Sequence, residues 1–255
     1  MMKLWFLPCL LVAVAQAAAG QRNRVPEGGN DFADAPMPNV PYDGRFTFVR
    51  IKYEVGLNGF RGRRDLKWDH DYPRAERHFT KILSELTTVQ PRVDASNILA
   101  LDDPELFKFP IAYLSEPGFW QPTDREVAGT RAYLQKGGLM IFDDFVGNQI
   151  FNLENQLRRV LPGARMIALT KEHPIFDAFY RIESLDYVHP MFGQPSIFFG
   201  VFEDNDPAKR LLMIINYNND IGEYWEWSDT GLFAIDLSND AYKIGVNYLV
   251  YALTR

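Results

Sequence analysis

GGLMIFDDF (residues 137–145) is the stretch that decides the fold. Its centre, LMIFDD (139–144), is a mostly apolar run that stops at two adjacent carboxylates, Asp143 and Asp144. A strand exposed on one side alternates apolar and polar residues. A run without alternation suits a strand covered on both faces, as in a parallel sheet. Ahead of it, Thr123 and Glu126 form a capping-box pair that opens a helical pattern. That pattern closes at Lys136-Gly137-Gly138, where a cation meets the C-terminal dipole and glycine supplies a left-handed cap. Helix, glycine pair and buried strand make half of a right-handed crossover.

The same periodicities extend in both directions. FTFVRIKY (46–53) alternates and is rich in β-formers, so it is expected to be the first strand. A helix follows over 73–86, started by Asp71 and Pro73, with Ala75, Phe79, Ile82, Leu83 and Leu86 on one face. NILAL (97–101) and IAYLSE (111–116) are further strands. A helix over 148–161 ends at Pro162-Gly163, and RMIALT (165–170) is a strand. SIFFGVFED (196–204) and RLLMIINYN (210–218) form a late strand pair that breaks the alternation and belongs at an edge. A closing helix spans 240–253. The fold class expected is one three-layer α/β domain with a mostly parallel open sheet and antiparallel edge strands late in the chain.

Residues 1–20 read as a signal peptide: Lys3, an apolar run from Leu4 to Val14, and small residues around Ala17 and Ala19. Its apolar core falls short of the ~20 residues that span a bilayer, and no later run reaches that length. Residues 21–44 hold Pro and Gly with little periodicity and read as a flexible spacer; 45–255 form the domain. Cys9 is the only cysteine and lies in the leader, so cleavage leaves no thiol for disulfides, thiolate metal sites or nucleophilic catalysis. An exported protein of this kind, periplasmic or secreted, fits a bacterial periplasm. At 255 residues and 47% hydrophobic the chain can bury one sizeable core, but not two generous ones. Without Lys3, 26 basic residues face 33 acidic ones, which argues against nucleic acid as a partner. The basic cluster FRGRRDLKW (60–68) is short, acid-interrupted and better suited to a solvated loop.

Ligands of open α/β sheets bind beyond the carboxyl ends of the strands, where Asp143 and Asp144 fall. Successive strand residues point to opposite faces, so one carboxylate is expected to face the crevice and the other the next helix, near Asn148. Asp143 is the favoured crevice residue. WDHD (68–71) offers Asp69 and His70 as metal ligands, with Asp71 drawn toward helix capping. His173 and His189 each precede proline on a loop. In NYNNDIGEYWEW (216–227), Asn216, Asn218 and Asp220 recur at every second position like a calcium loop, but Gly222 and Trp227 break the EF-hand pattern. Trp225 and Trp227 are either core residues or platforms on which a sugar stacks. There is no GxSxG, phosphate loop, GxGxxG or HExxH. Ser115 lacks the small flanking residues of a nucleophile elbow.

Taken in order, FTFVRIKY, WDHDYP, FPIAYLSEPG, YLQKGGLMIFDDF, EHPIF, NYNNDIGEYWEW and GVNYLVYALTR resemble the bacterial family called domain of unknown function 4159, over nearly all of 45–255. That family is similar in turn to class I glutamine amidotransferase-like folds, which implies a flavodoxin-like sheet. Amidotransferases use a cysteine on a strand–helix elbow, and this chain has none after Cys9, so glutamine hydrolysis does not carry over. YLQKGGLMIFDD is also similar to a segment of trehalose-utilisation-like proteins, which carry histidine where Asp143 stands.

The leading expectation is an exported, non-catalytic binding domain for a small molecule, glycan or envelope component, using Asp143, Asp144, His173, Asn218, Asp220 and Trp225. One alternative is a metal-dependent hydrolase with a divalent ion on Asp69, His70, Asp143 and His173. Another is a structural partner of an envelope protein.

Overall fold

The computed structural model describes residues 35–55 and 65–254; the leader, residues 21–34 of the spacer, and 56–64 with the start of the basic cluster lie outside the described residues. Seven strands form one sheet: β1 (Phe48–Ile51), β2 (Ser96–Leu99), β3 (Ile111–Ser115), β4 (Leu139–Asp143), β5 (Ile167–Ala168), β6 (Ile197–Phe202) and β7 (Leu211–Tyr217). Among the described residues five α-helices accompany them: α1 (Arg74–Leu86), α2 (Asp124–Gln135), α3 (Ile150–Val160), α4 (Ile221–Glu226) and α5 (Ile235–Thr254). The strand order is β2-β1-β3-β4-β7-β6-β5. From β2 through β7 every pairing is parallel, and β6 and β5 add antiparallel strands on one side. Taken alone, the five parallel strands follow the doubly wound order 2-1-3-4-5.

This is the α/β class that the apolar run at 139–144 implies. β4 lies mid-sheet between β3 and β7 and is buried at all five residues, so both faces need cover. Leu139 and Ile141 pack on the side of α1, α4 and α5 with Phe79, Trp225 and Tyr248. Met140 and Phe142 pack on the side of α2 and α3 with Val127, Leu153 and Leu157. Each such side chain contributes roughly 1.5–3 kcal/mol by leaving water. The Thr123–Glu126 capping box forms as the sequence implies: Glu126 N–H donates to Thr123 Oγ1 at 3.2 Å, and Thr123 N–H to Glu126 Oε2 at 2.8 Å. Gly137, at φ 113°, takes the left-handed cap.

Three features differ from expectation. Although the antiparallel strands gather late in the chain, β7 lies inside the sheet, parallel to β4, and the two-residue β5 is the edge. α5 begins at Ile235, ahead of the apolar periodicity that marks its buried part. The helix α4 stands where the sequence suggests only a polar strand end. Residues 35–43 also pack. Asn39 exchanges hydrogen bonds with Ile98 at 2.9 and 3.1 Å, and Asn97 with Val40 at 2.8 and 2.9 Å. These contacts cover the outer edge of β2, which would otherwise present unpaired backbone groups. No helix among the described residues is long and apolar enough to cross a membrane.

Candidate functional site

The carboxyl ends of β3, β4 and β7, together with residues 65–72 beyond β1, form one rim. Strand alternation sends Asp143 to the same side as Ile141, toward α4. There the carboxylate is fully buried and accepts four hydrogen bonds. Tyr113 Oη donates at 2.7 Å, Asn216 Nδ2 at 2.9 Å, Ile221 N–H at 2.9 Å and Gly222 N–H at 3.1 Å. Asn216 Oδ1 in turn accepts from Tyr248 Oη at 2.7 Å. Asp143 therefore satisfies the first two N–H groups of α4, and Asp220 Oδ1 accepts from the third, Glu223 N–H, at 2.9 Å. Burial raises the Asp143 carboxyl, and its four donors oppose that rise.

Asp144 does what Asp143 was expected to do. Its backbone turns left-handed at φ 59°, ending the strand and bringing the side chain back to the rim, 15% exposed. Neither residue caps near Asn148, where Gln149 Oε1 accepts from Val146 N–H instead. Ser115 Oγ donates to Asp144 Oδ2 at 3.2 Å. Burial, Glu116 and Asp143 push the Asp144 carboxyl up to about 7 against the pull of His70 and Ser115. Left-handed backbone recurs around it at Asp71 (φ 63°), Glu116 (φ 49°) and Asn218 (φ 54°). Such conformations cost on the order of 1 kcal/mol each for a residue with a Cβ, and they concentrate where a site dictates geometry.

Among the described residues His70 is one of two cations of this rim, beside Lys67, whose Nζ stands 2.7 Å from Asp65 Oδ2 and 3.5 Å from Glu116 Oε1. The Nδ1 of His70 stands 2.6 Å from Glu116 Oε1 and its Nε2 2.9 Å from Asp65 Oδ1, so both nitrogens donate and the ring carries two protons. Burial pulls its pKa down, but Glu116 and Asp65 outweigh that and hold it at about 9. In this arrangement both ring nitrogens are taken up by carboxylates, and His70 clusters with Glu116 and Asp144. Among the described residues, Asp69 joins none of the clustered carboxylates and imidazoles.

His173 does not reach the rim. Its ring packs on Phe202 and Tyr251, and Phe202 pairs with Leu211 at the opposite end of β7. Six residues of strand, roughly 20 Å, separate it from the carboxyl end. The set Asp69, His70, Asp143 and His173 is therefore not gathered among the described residues. His189 is the histidine that the fold brings in: it clusters with Asp144 and Asp220. Its Nδ1 accepts from Met191 N–H at 3.2 Å, which leaves the neutral ring's proton on Nε2. Burial lowers its pKa to about 4, so it stays neutral.

Asn218 closes the loop rather than opening it to ligand: Oδ1 accepts from Gly147 N–H at 3.0 Å, and Nδ2 donates to Pro195 O at 3.0 Å. Trp225 is 1% exposed and stacks on Phe79 with centroids 4.6 Å apart, so it is a core residue and no sugar platform. Asp220 is buried, and burial with Asp144 and Asp71 raises its carboxyl well above the usual range.

Sequence reasoning missed Glu116, Glu223 and Glu226, and misread Asp71. The Asp71 side chain does not cap α1. It lies instead among Glu223 and Glu226, with ligand oxygens of the three within 4.8 Å of one another. A signal for α4 was present: Asp220 followed three residues later by Glu223 has the spacing of a helix start. Glu116 had no such signal, because its position depends on the turn after β3.

No curated protein matches the chain closely enough to count as a relative. Residues 47–253 match the family model described as a domain of unknown function, DUF4159. The match runs from β1 into the last turn of α5 and so takes in the whole rim. The chain belongs to the DUF4159 family.

Proposed function

We propose that this chain is an exported binding domain whose rim takes a positively charged ligand. The observation that carries the reading is Asp144, a partly exposed carboxyl on left-handed backbone that shares one cluster with His70 and Glu116 and another with Asp220 and His189. Clusters in which carboxylates outnumber cations favour counter-ions. The inward Trp225 removes the support for a stacked glycan, and the excess of acid disfavours an anion.

Calorimetric titration of the full mature domain with spermidine, a lysine-rich peptide and a neutral oligosaccharide tests this. The cations are expected to bind, with affinity that falls as salt rises and falls again in Asp144→Asn. Binding of the neutral sugar alone, or no binding by either cation or by a metal ion, would overturn the reading. The leader-like residues 1–20 support export. N-terminal sequencing from the envelope fraction of the host should find them removed, and an intact Met1 in the cytoplasm contradicts export.

A further inference from the structure

We infer that the rim holds a divalent metal ion of the hard, oxygen-seeking class on Asp71, Glu223 and Glu226, beside the first turns of α4. This rests on the reading of the rim as a cation site and specifies the cation.

Two acceptors face one another here. Glu223 lies against Asp71, and a carboxylate opposite a carboxylate needs a positive partner between them. Asp71 Oδ2 has none: it is buried, in a residue only 8% exposed, and has no hydrogen-bond partner. The strong cation that acts on Asp71 is Arg50, and it makes no hydrogen bond to Asp71 Oδ2. Arg50 pairs through Nε with Glu76 and through Nη1 with Trp68 O at 3.0 Å.

The approach of Asp71 is built into α4. A Cβ on Gly222 would stand 2.6 Å from Asp71 Oδ2 and 2.7 Å from Tyr113 Oη, so only glycine lets the acid come this close. Glu223 and Glu226 are half-buried, one helical turn apart, and leave a side open to water. An organic ammonium is too bulky to reach an oxygen this enclosed, whereas a bare ion is not.

The ligand atoms select the class of metal. Carboxylate oxygens without histidine or cysteine suit calcium, magnesium or manganese over zinc or copper. Oxygens bound to one calcium at about 2.3–2.6 Å lie up to about 5 Å apart, which accommodates the 4.8 Å span of this cluster. Neither of the other clusters competes. His70 already brings its protons to Glu116, and the ring geometry of His189 leaves no lone pair toward Asp144 and Asp220.

The test uses the full mature domain, stripped with chelator and dialysed. It is titrated calorimetrically with calcium, magnesium and manganese, and separately with terbium, whose emission is sensitised by excitation of the tryptophans on α4 and just after it. One saturable site is expected, with terbium emission displaced by calcium. Asp71→Asn and Glu223→Gln should each weaken binding by about tenfold or more, through loss of ligand charge. Glu85→Gln, on the exposed face of α1, should leave it unchanged. Glu223 is half-exposed, so its variant remains informative if Asp71→Asn fails to fold.

Three results overturn the metal site: no saturable binding of any of these ions, binding indifferent to both variants, or a proton shared by Asp71 and Glu223 as the only occupant. Spermidine binding that is sensitive to Asp144→Asn, without metal binding, sinks the metal and keeps the cationic rim. Metal binding lost in Asp71→Asn, without organic cation binding, supports the inference and narrows the rim to metal alone. Failure of every cation removes both.

Discussion

Replacing Asp143 with alanine should destabilise the domain by about 4 kcal/mol, because buried donors that lose their acceptor each cost about 1–3 kcal/mol and only some can find water. The four donors are Tyr113 Oη, Asn216 Nδ2 and the N–H groups of Ile221 and Gly222. They come from β3, β7 and α4, so one carboxylate ties the helix start to the sheet. Asparagine should cost about half as much, since its remaining oxygen still accepts the donors at the Oδ2 position. Its new amide would face Asn216 Nδ2. Asn216 can flip, and the Tyr248 hydroxyl can turn from donor to acceptor to suit. Urea unfolding of the two variants measures both effects. An alanine variant as stable as the parent would show that Asp143 does not anchor α4.

The adjacent residue should behave in the opposite way. Asp144→Asn is expected to stabilise the domain by about 2 kcal/mol at pH 8, with the gain shrinking toward zero near pH 4. The folded carboxyl is raised to about 7, above its value of 3.8 in the unfolded chain. As pH rises from about 4 to 7 the unfolded chain therefore loses this proton first, and folded stability falls. At 1.36 kcal/mol per pH unit the full penalty would be on the order of 4 kcal/mol. His70 already moderates that value, and the amide's imperfect match to a protonated carboxyl leaves roughly half of it as gain. Asparagine tolerates left-handed backbone, so the strand end survives the change. Thermal melts of both proteins across pH 4–8 check the sign and the trend. Destabilisation at pH 8 would mean that the carboxylate supports the fold instead of straining it.

The difference between these neighbours explains what was legible in the sequence. The apolar run at 139–144, the capping box at Thr123 and the crossover order are local signals, and the sheet follows them. The location of the rim was also legible, because strand ends of open α/β sheets define it. Which acid faces the rim was not. Alternation along β4 sends one of the pair inward, but it does not say whether helix or crevice lies on that side. That depends on α4, a six-residue helix packed from a distant part of the chain. The same gap hid Glu223 and Glu226, whose proximity to Asp71 joins residues about 150 positions apart. It also misplaced His173: the loop after β5 returns to the opposite end of the sheet, while the similar His-Pro step at His189 lies over the acids. Trp225 was open between core and surface in the sequence, and its stacking on Phe79 decides for the core.

The most direct measurement of the rim is a carbon-13 NMR titration of the aspartate side-chain carboxyls. One signal should titrate near neutral pH, close to 7, and vanish from the spectrum of Asp144→Asn. Retention of that signal in the variant, or titration of Asp144 in the ordinary range near 4, would contradict a partly exposed carboxyl held under strain at a cation-binding rim.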